Sequence, residues 1–396
     1  MPKGLLVILV AVTLDSVGIG LVFPILPELL REVAHESNIA VLYGGFLSLY
    51  ALMQFVFAPV LGMLSDRFGR RPVLLVSLAG AAIDYLVLAF APQLWMLVLG
   101  RAIAGITSAN IAVATAYIAD ISPEETRAQR FGYLNACFGI GFILGPVIGG
   151  LLGEYWIRSP FLLAAVFNAV NFALALFILP ESRPGEKKRH ELSELNPFKS
   201  IHWALSLRML LPLVGLWLAF NFLGQVYGTT WVLFAEDRFD FSPLMIGLSL
   251  ASFGVFHAAA QAFLTGPVAA RFGEQRALLI GMAFETTACV VLAFATHGWI
   301  LFALAPLFAL GGVGIPALQS LLTRQVGEDK QGQLQGVLAS MVSIASIFGP
   351  LFYSAIYFST RDTWSGTVWM VTVAIYLCCL PIILSIRVPR PETTPA

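Results

Sequence analysis

Asp15, Asp84 and Glu285 each interrupt a long apolar run. An unpaired charge in the middle of a membrane span costs at least about 3 kcal/mol on insertion scales, so such residues are candidates for function. A carboxyl taken out of water favours its neutral form, and a cationic ligand arriving beside it displaces the proton. That is the chemistry an exchanger needs. Glu285 falls three residues short of the position that a 204-residue offset gives Asp84, about one helical turn away on the same face, which suggests one cavity shared by two halves. His257 and Gln261, one turn apart on the preceding span, join this group. The imidazole is either a satisfied interior group or one whose proton Glu285 shares. Asp15 is similarly open: it carries a proton, or it is structural, paired with Arg101 or hydrogen-bonded across a glycine-rich face. Gln54, Asn110, Asn221, Gln225 and Gln319 are candidates for the cavity wall, and equally for interhelical hydrogen bonds worth about 0.6 kcal/mol each.

Those residues need a membrane scaffold. Hydrophobic residues make up 58% of the 396 and charged residues 12%, against roughly 25% charged in soluble domains. Segments near 5–27, 42–61, 73–91, 93–118, 131–153, 159–179, 211–234, 243–268, 277–296, 298–322, 335–358 and 366–386 are each long enough to cross about 30 Å of hydrocarbon. With loops alternating sides, 18 of the 23 basic residues fall on one side. The positive-inside bias makes that side cytoplasmic, with both termini there. The first span lacks a small-residue cleavage site and is expected to be retained. The four cysteines show no metal-like spacing and read as small hydrophobes.

The chain repeats itself. Gly62-Met63-Leu64-Ser65-Asp66-Arg67-Phe68-Gly69 recurs 204 residues later as Gly266-Pro267-Val268-Ala269-Ala270-Arg271-Phe272-Gly273, and the same offset carries Gly145 onto Gly349 and Pro146 onto Pro350. Internally repeated bundles place a substrate path at their interface. In the first copy, Gly62, Asp66, Arg67, Gly69, Arg70 and Arg71 form a loop whose glycines allow a tight turn and close helix approach. Its charges are expected to latch one bundle against the other, with Asp120 accepting from Arg70 or Arg71. The second copy has Ala270, Glu274 and Gln275 where the first has Asp66, Arg70 and Arg71, so the latch is expected in one half only. Gly141, Gly145 and Pro146, with Gly149 and Gly150, make a small-residue face suited to contact with a helix of the other half. The polar stretch Glu181–Glu191 marks a linker, with a short amphipathic piece near Phe198–Leu207.

The loop string Gly62–Arg71 resembles the signature of the major facilitator superfamily, and the Gly141–Gly150 string is similar to the motif of its drug/proton antiporters. Leu14-Asp15, Gly18, Gly20, Pro24, Pro27, Tyr50–Gln54, Asp84-Tyr85, Gly100-Arg101, Asp120, Trp231–Phe234, His257, Gln261 and Pro316–Gln319 resemble the bacterial tetracycline exporters. The ninth-span acid is Asp in those proteins and Glu285 here, and their glycine-rich run in the fourth span is replaced by Thr107-Ser108-Ala109-Asn110. A longer acid and a bulkier helix face alter the pocket.

The resemblance implies an all-α membrane protein of the major facilitator fold. Its twelve transmembrane helices lie in two pseudo-symmetric six-helix bundles, residues 1–182 and 207–396, joined by a cytoplasmic linker at 183–206. It implies proton-coupled efflux of a drug by alternating access, foremost tetracycline as a complex with a divalent cation that travels with the cargo. No permanently bound cofactor or metal is expected. Rival readings are a multidrug exporter of other substrates and a proton-coupled importer of a small metabolite. The protein is expected in the bacterial inner membrane as a functional monomer, with drug, protons and lipid as its partners. Neither nucleic acid nor enzymatic chemistry is expected, since no nucleophile–base pair lies outside the spans.

Overall fold

The computed structural model describes residues 3–36, 39–182, 210–327 and 330–385. They form α1 (Lys3–Val22), α2 (Leu26–Ala34), α3 (Ala40–Phe68), α4 (Arg70–Phe90), α5 (Leu94–Thr107), α6 (Asn110–Ile121), α7 (Glu124–Tyr155) and α8 (Ser159–Phe177) in the first half. The second half holds α9 (Leu211–Phe239), α10 (Pro243–Phe263), α11 (Thr265–Phe272), α12 (Glu274–Ala293), α13 (Trp299–Gly311), α14 (Gly314–Arg324), α15 (Gln331–Trp364) and α16 (Thr367–Ser385). Twelve membrane-length spans result, because α5 with α6 and α13 with α14 each make one crossing. All backbone polar groups of a span must be satisfied within it, and a helix does this without help from water.

Three helices run well past the expected apolar segments: α3, α7 and α15. Hydropathy marks only the oil-soluble part of a helix, whereas backbone hydrogen bonding continues through polar ends such as Glu124–Arg127 and Arg361-Asp362. The first span ends at a turn containing Pro24, and α2 follows with Pro27 in its first turn. The expected linker and its amphipathic piece lie outside the described residues.

The repeat is structural as well as sequential. Gly69 and Gly273 occupy equivalent positions, each between two helices, with φ of 102° and 78°. These values favour glycine. The fourth and tenth spans break at matching places, Ser108-Ala109 and Gly312-Val313. Each break interrupts a helix at membrane depth and so frees polar backbone for neighbouring side chains.

The packing differs between the two ends of the molecule. At the end opposite the Gly62–Arg71 loop, one apolar core spans both halves, from Leu21, Ile25 and Leu29 to Phe234, Tyr357 and Trp369. At the loop end, which we call the basic end, each half has its own core: Leu5, Leu78 and Tyr117 in the first, Trp217, Leu322 and Tyr376 in the second. The described hydrogen bonds between halves agree. Ser354 donates to the Ala40 carbonyl and Ser48 to the Ile347 carbonyl, both at 2.5 Å, and Arg31 pairs with Glu236 at 2.5 Å. On α7, Gly145 packs so tightly on α1 that a Cβ would come 2.7 Å from the Gly20 Cα and the Val17 carbonyl. Gly141 and Gly149 face α1 too, while Gly150 meets Pro243 of the other half. The small-residue string thus serves both halves: Gly247 and Gly254 of α10 pack in turn on Pro146 and Ile143.

Candidate functional site

Between the halves, below the shared core, lies a cavity of about 780 Å³. It runs from Leu26 and Tyr43 toward Ala58, Ala112 and Gly336, that is, toward the basic end. Of the residues singled out in the sequence, Asp15, Asp84, Gln54, Asn110 and Arg101 line it. Among the described residues, the second half contributes only α15, through Gly336, Ala339, Ser340 and Ser343.

Asp15 is 6% exposed and accepts a hydrogen bond from Asn110 Nδ2 at 2.9 Å. Arg101 pairs instead with Asp84, Nη1 to Oδ2 at 3.7 Å, and lies over the rings of Phe46 and Tyr50. The expected Asp15–Arg101 pair is therefore corrected. Asp84 and Arg101 stand nearly equidistant from Pro92 on an antiparallel helix pair, which brings them face to face, whereas Asp15 sits on α1 opposite the start of α6. This leaves Asp15 with a neutral partner and Asp84 with a cationic one. The break after α5 is held by side chains: Gln54 Nε2 donates to Ser108 Oγ at 3.0 Å, and the Tyr50 and Ser108 hydroxyls bond at 2.7 Å.

The second-half residues gather elsewhere. Glu285 is half-buried on α12 with its side chain packed on Gly311, and Tyr227 Oη donates to Glu285 Oε2 at 2.5 Å. Tyr227 in turn touches Phe308, Trp369 and Trp231. Gln261 Nε2 donates to the Gly312 carbonyl at 3.0 Å, and His257 lies beside the same glycine, stacked on Phe253. So Glu285, His257 and Gln261 converge on the break at Gly311-Gly312. Glu285 bonds Tyr227 rather than the imidazole, and the three do not line the cavity that Asp84 lines. The expectation of one cavity shared by Asp84 and Glu285 is corrected: the span-10 break and its aromatic neighbours stand around the second acid. Asn221 bonds its own helix at the Trp217 carbonyl, Gln225 bonds Ser346 across to α15, and Gln319 is half-buried on α14.

At the basic end, Arg70 pairs with Asp66 at 2.7 Å and Asp120 at 3.0 Å. Glu181 accepts the backbone N–H groups of Arg70 and Arg71 at 2.8 and 3.1 Å, placing a carboxylate on the N-terminus of α4. Arg71 donates to the last carbonyls of α8, those of Ala175 and Leu176. Gly69 makes the tight turn, whereas Gly62 has no neighbour that a Cβ would meet, and Arg67 lies over Phe68. The partners described for Arg70 and Arg71 all belong to the first half, so the motif ties that half together rather than to the other.

A further correction concerns Glu274 and Arg324, which bond at 2.6 Å. They occupy the positions that the 204-residue offset assigns to Arg70 and Asp120, with the charges exchanged. The latch is present in both halves, in opposite polarity. Sequence reasoning missed it because residue identity was followed rather than charge pairing. It also missed Ser77, Ser340 and Ser343 of the cavity wall; the spacing of Gly336, Ala339, Ser340 and Ser343 on one helix face was the available signal.

The model of the Major Facilitator Superfamily matches residues 8–235 and 216–396. The chain belongs to this superfamily. Within it, the chain is 54% identical over 379 residues to the class C tetracycline resistance protein of Escherichia coli, covering 96% of each chain. It is 48% identical to the class G tetracycline resistance protein of Vibrio anguillarum, covering 97% of this chain and 98% of the relative. Among solved structures it superposes on the nucleoside transporter NupG with a TM-score of 0.79 at 14% identity, over 96% of this chain and 99% of that one. That likeness concerns the fold.

Proposed function

We propose that this superfamily member exports tetracycline-type drugs from bacteria across the inner membrane in exchange for protons, by alternating access. The observation that carries the reading is the cavity. It lies between the halves, below the core they share, and presents two buried carboxylates, Asp15 and Asp84, to a space large enough for a drug-sized molecule. Full-length similarity to tetracycline resistance proteins supports the cargo class.

In this reading the basic end is cytoplasmic, which places both termini there. The position described is then open toward the cytoplasm and sealed at the outer face by Arg31–Glu236 and the shared core. Cargo enters between the halves, and Asp15, whose partner Asn110 carries no charge, meets its cationic portion, including a divalent cation bound to the drug. The Asp15 proton is thereby released. Glu285, bonded to Tyr227 beside the span-10 break, supplies a second protonatable group in the second half. When the outer face opens, protonation of these carboxyls returns the carrier, aided by about 2.3 kcal/mol per charge per 100 mV of membrane potential. The lining of the cavity comes from both halves of one chain, in keeping with a functional monomer.

Everted vesicles with an imposed pH gradient test the proposal. Tetracycline uptake that requires both the gradient and Mg²⁺ is expected. Uptake indifferent to the gradient, or absent while the protein is present in the membrane, contradicts it.

A further inference from the structure

Three side chains of one cavity wall hold polar atoms with no hydrogen-bond partner among the described residues: Ser77 Oγ, Asp84 Oδ1 and Arg101 Nε. Ser77 and Asp84 are each 2% exposed. The contact between Asp84 and Arg101 is long and uses Oδ2 and Nη1, so one carboxylate oxygen and the Nε–H remain unused. The guanidinium lies over the rings of Phe46 and Tyr50, which leaves its N–H edge as the direction for further bonds. Polar atoms buried like this cost free energy until a partner satisfies them.

We propose that Ser77, Asp84 and Arg101 form a subsite for a neutral cargo group that carries a hydrogen-bond acceptor and donor side by side, of the carboxamide type. The chemistry follows from the charges. An anionic group would face Asp84 and an ammonium would face Arg101, and either would leave a net charge in a low-dielectric site. A carboxamide does neither. Its carbonyl accepts from Arg101 Nε–H and the Ser77 hydroxyl, and its N–H donates to Asp84 Oδ1. The opposite wall cannot take over this recognition, because the hydroxyls of Ser340 and Ser343 already bond the Gly336 and Ala339 carbonyls of their own helix at 2.9 and 3.0 Å. The cavity thereby divides its work. Asp15 meets the cationic end of the cargo, and the Asp84–Arg101 pair meets a neutral end.

The inference rests on the export reading, and the test separates the two. Gradient-driven uptake into everted vesicles and direct binding to the purified chain are measured for tetracycline and for its analogue with the 2-carboxamide converted to a nitrile, a linear group with neither the carbonyl oxygen nor the N–H. In the wild type, KM and Kd are expected to be about tenfold higher for the nitrile, the usual consequence of leaving a buried group unpaired. Ser77→Ala is expected to raise KM and Kd severalfold for the amide and to leave the nitrile values unchanged; Arg101→Lys should act in the same direction. Equal values for the two ligands in the wild type, or equal shifts for both in Ser77→Ala, would overturn the subsite and make the pair structural only. Absence of gradient-driven tetracycline uptake by the wild type would overturn the export reading, while the amide-to-nitrile ratio of Kd would still decide the subsite.

Discussion

The two halves share a backbone plan and divide the chemistry unequally. Both turn at a positive-φ glycine, both break their fourth helix at the same repeat position, and both tie the ends of two helices with an ion pair at the basic end. Yet the first half exposes its acids to the cavity, while the second keeps Glu285 against a tyrosine and a glycine break, away from it. The latches differ as well: among the described residues the Arg70 side chain is 9% exposed and serves two acids, whereas that of Arg324 is 65% exposed and serves one. The halves thus share a frame and differ in where their acids stand: on the cavity in the first, beside the helix break in the second.

The strongest way to break this contrast is at the acids. Asp15→Asn is expected to abolish gradient-driven uptake, by about a hundredfold or more, since an amide has no proton to exchange and losing one partner of a buried charge pair costs about 2–5 kcal/mol. Glu285→Gln should also remove coupling but leave Kd for the drug within about twofold, because that residue does not line the cavity. Equal loss of binding in both variants would erase the distinction between the halves. Next in size is packing. Gly145→Val must push α7 off α1, and a sharp fall in folded protein in the membrane is expected, read by detergent-extracted monomer on size exclusion. Gly62→Val, at a position without close neighbours, should leave the yield near wild type.

The latches give a smaller and more discriminating test. Arg70→Glu places three acids together in a mostly buried position and should cut transport strongly. Arg324→Glu, at a pair whose arginine is open to solvent and which is worth about 1 kcal/mol or less, should cost little, and the exchange Glu274→Arg with Arg324→Glu should restore it fully. Comparable losses from Arg70→Glu and Arg324→Glu would show that exposure does not set the weight of the two latches. The smallest effect concerns the outer seal. Burial, reinforced by Glu236 and opposed by Arg31, holds the Glu28 carboxyl above its ordinary value, with Glu32 nearby adding to the rise. A raised acid stabilises the sealed state below its ordinary value and loses that contribution as pH climbs through the raised one. Acidifying the outer face should therefore increase the sealed population, followed by the distance between spin labels at the outer tips of α2 and α9. Glu28→Gln should flatten that dependence.

Much of this was legible in the residues. The glycine string, the offset of 204 and the apolar runs announce twelve helices in two copies, because lipid leaves the backbone few alternatives. Asp15, Asp84 and Glu285 stand out for the same reason. Partnerships were harder to read. Asp84 faces Arg101 because the two flank one hairpin almost symmetrically about Pro92, a relation visible only when the spans are folded against each other. Glu274 and Arg324 hid their kinship with Arg70 and Asp120 by exchanging charge. Ser77 and Ser108 matter for where an apolar wall has a polar gap, and spacing alone does not say which face of a span becomes a wall.

The central claim is that cargo capture expels a proton from the first-half carboxyl, and it can be measured without a membrane gradient. In weakly buffered solution, adding Mg²⁺–tetracycline to purified protein should acidify the medium in proportion to drug bound, and Asp15→Asn should bind with less acidification while Glu285→Gln releases as the wild type does. Undiminished proton release by Asp15→Asn at matched occupancy would contradict the account.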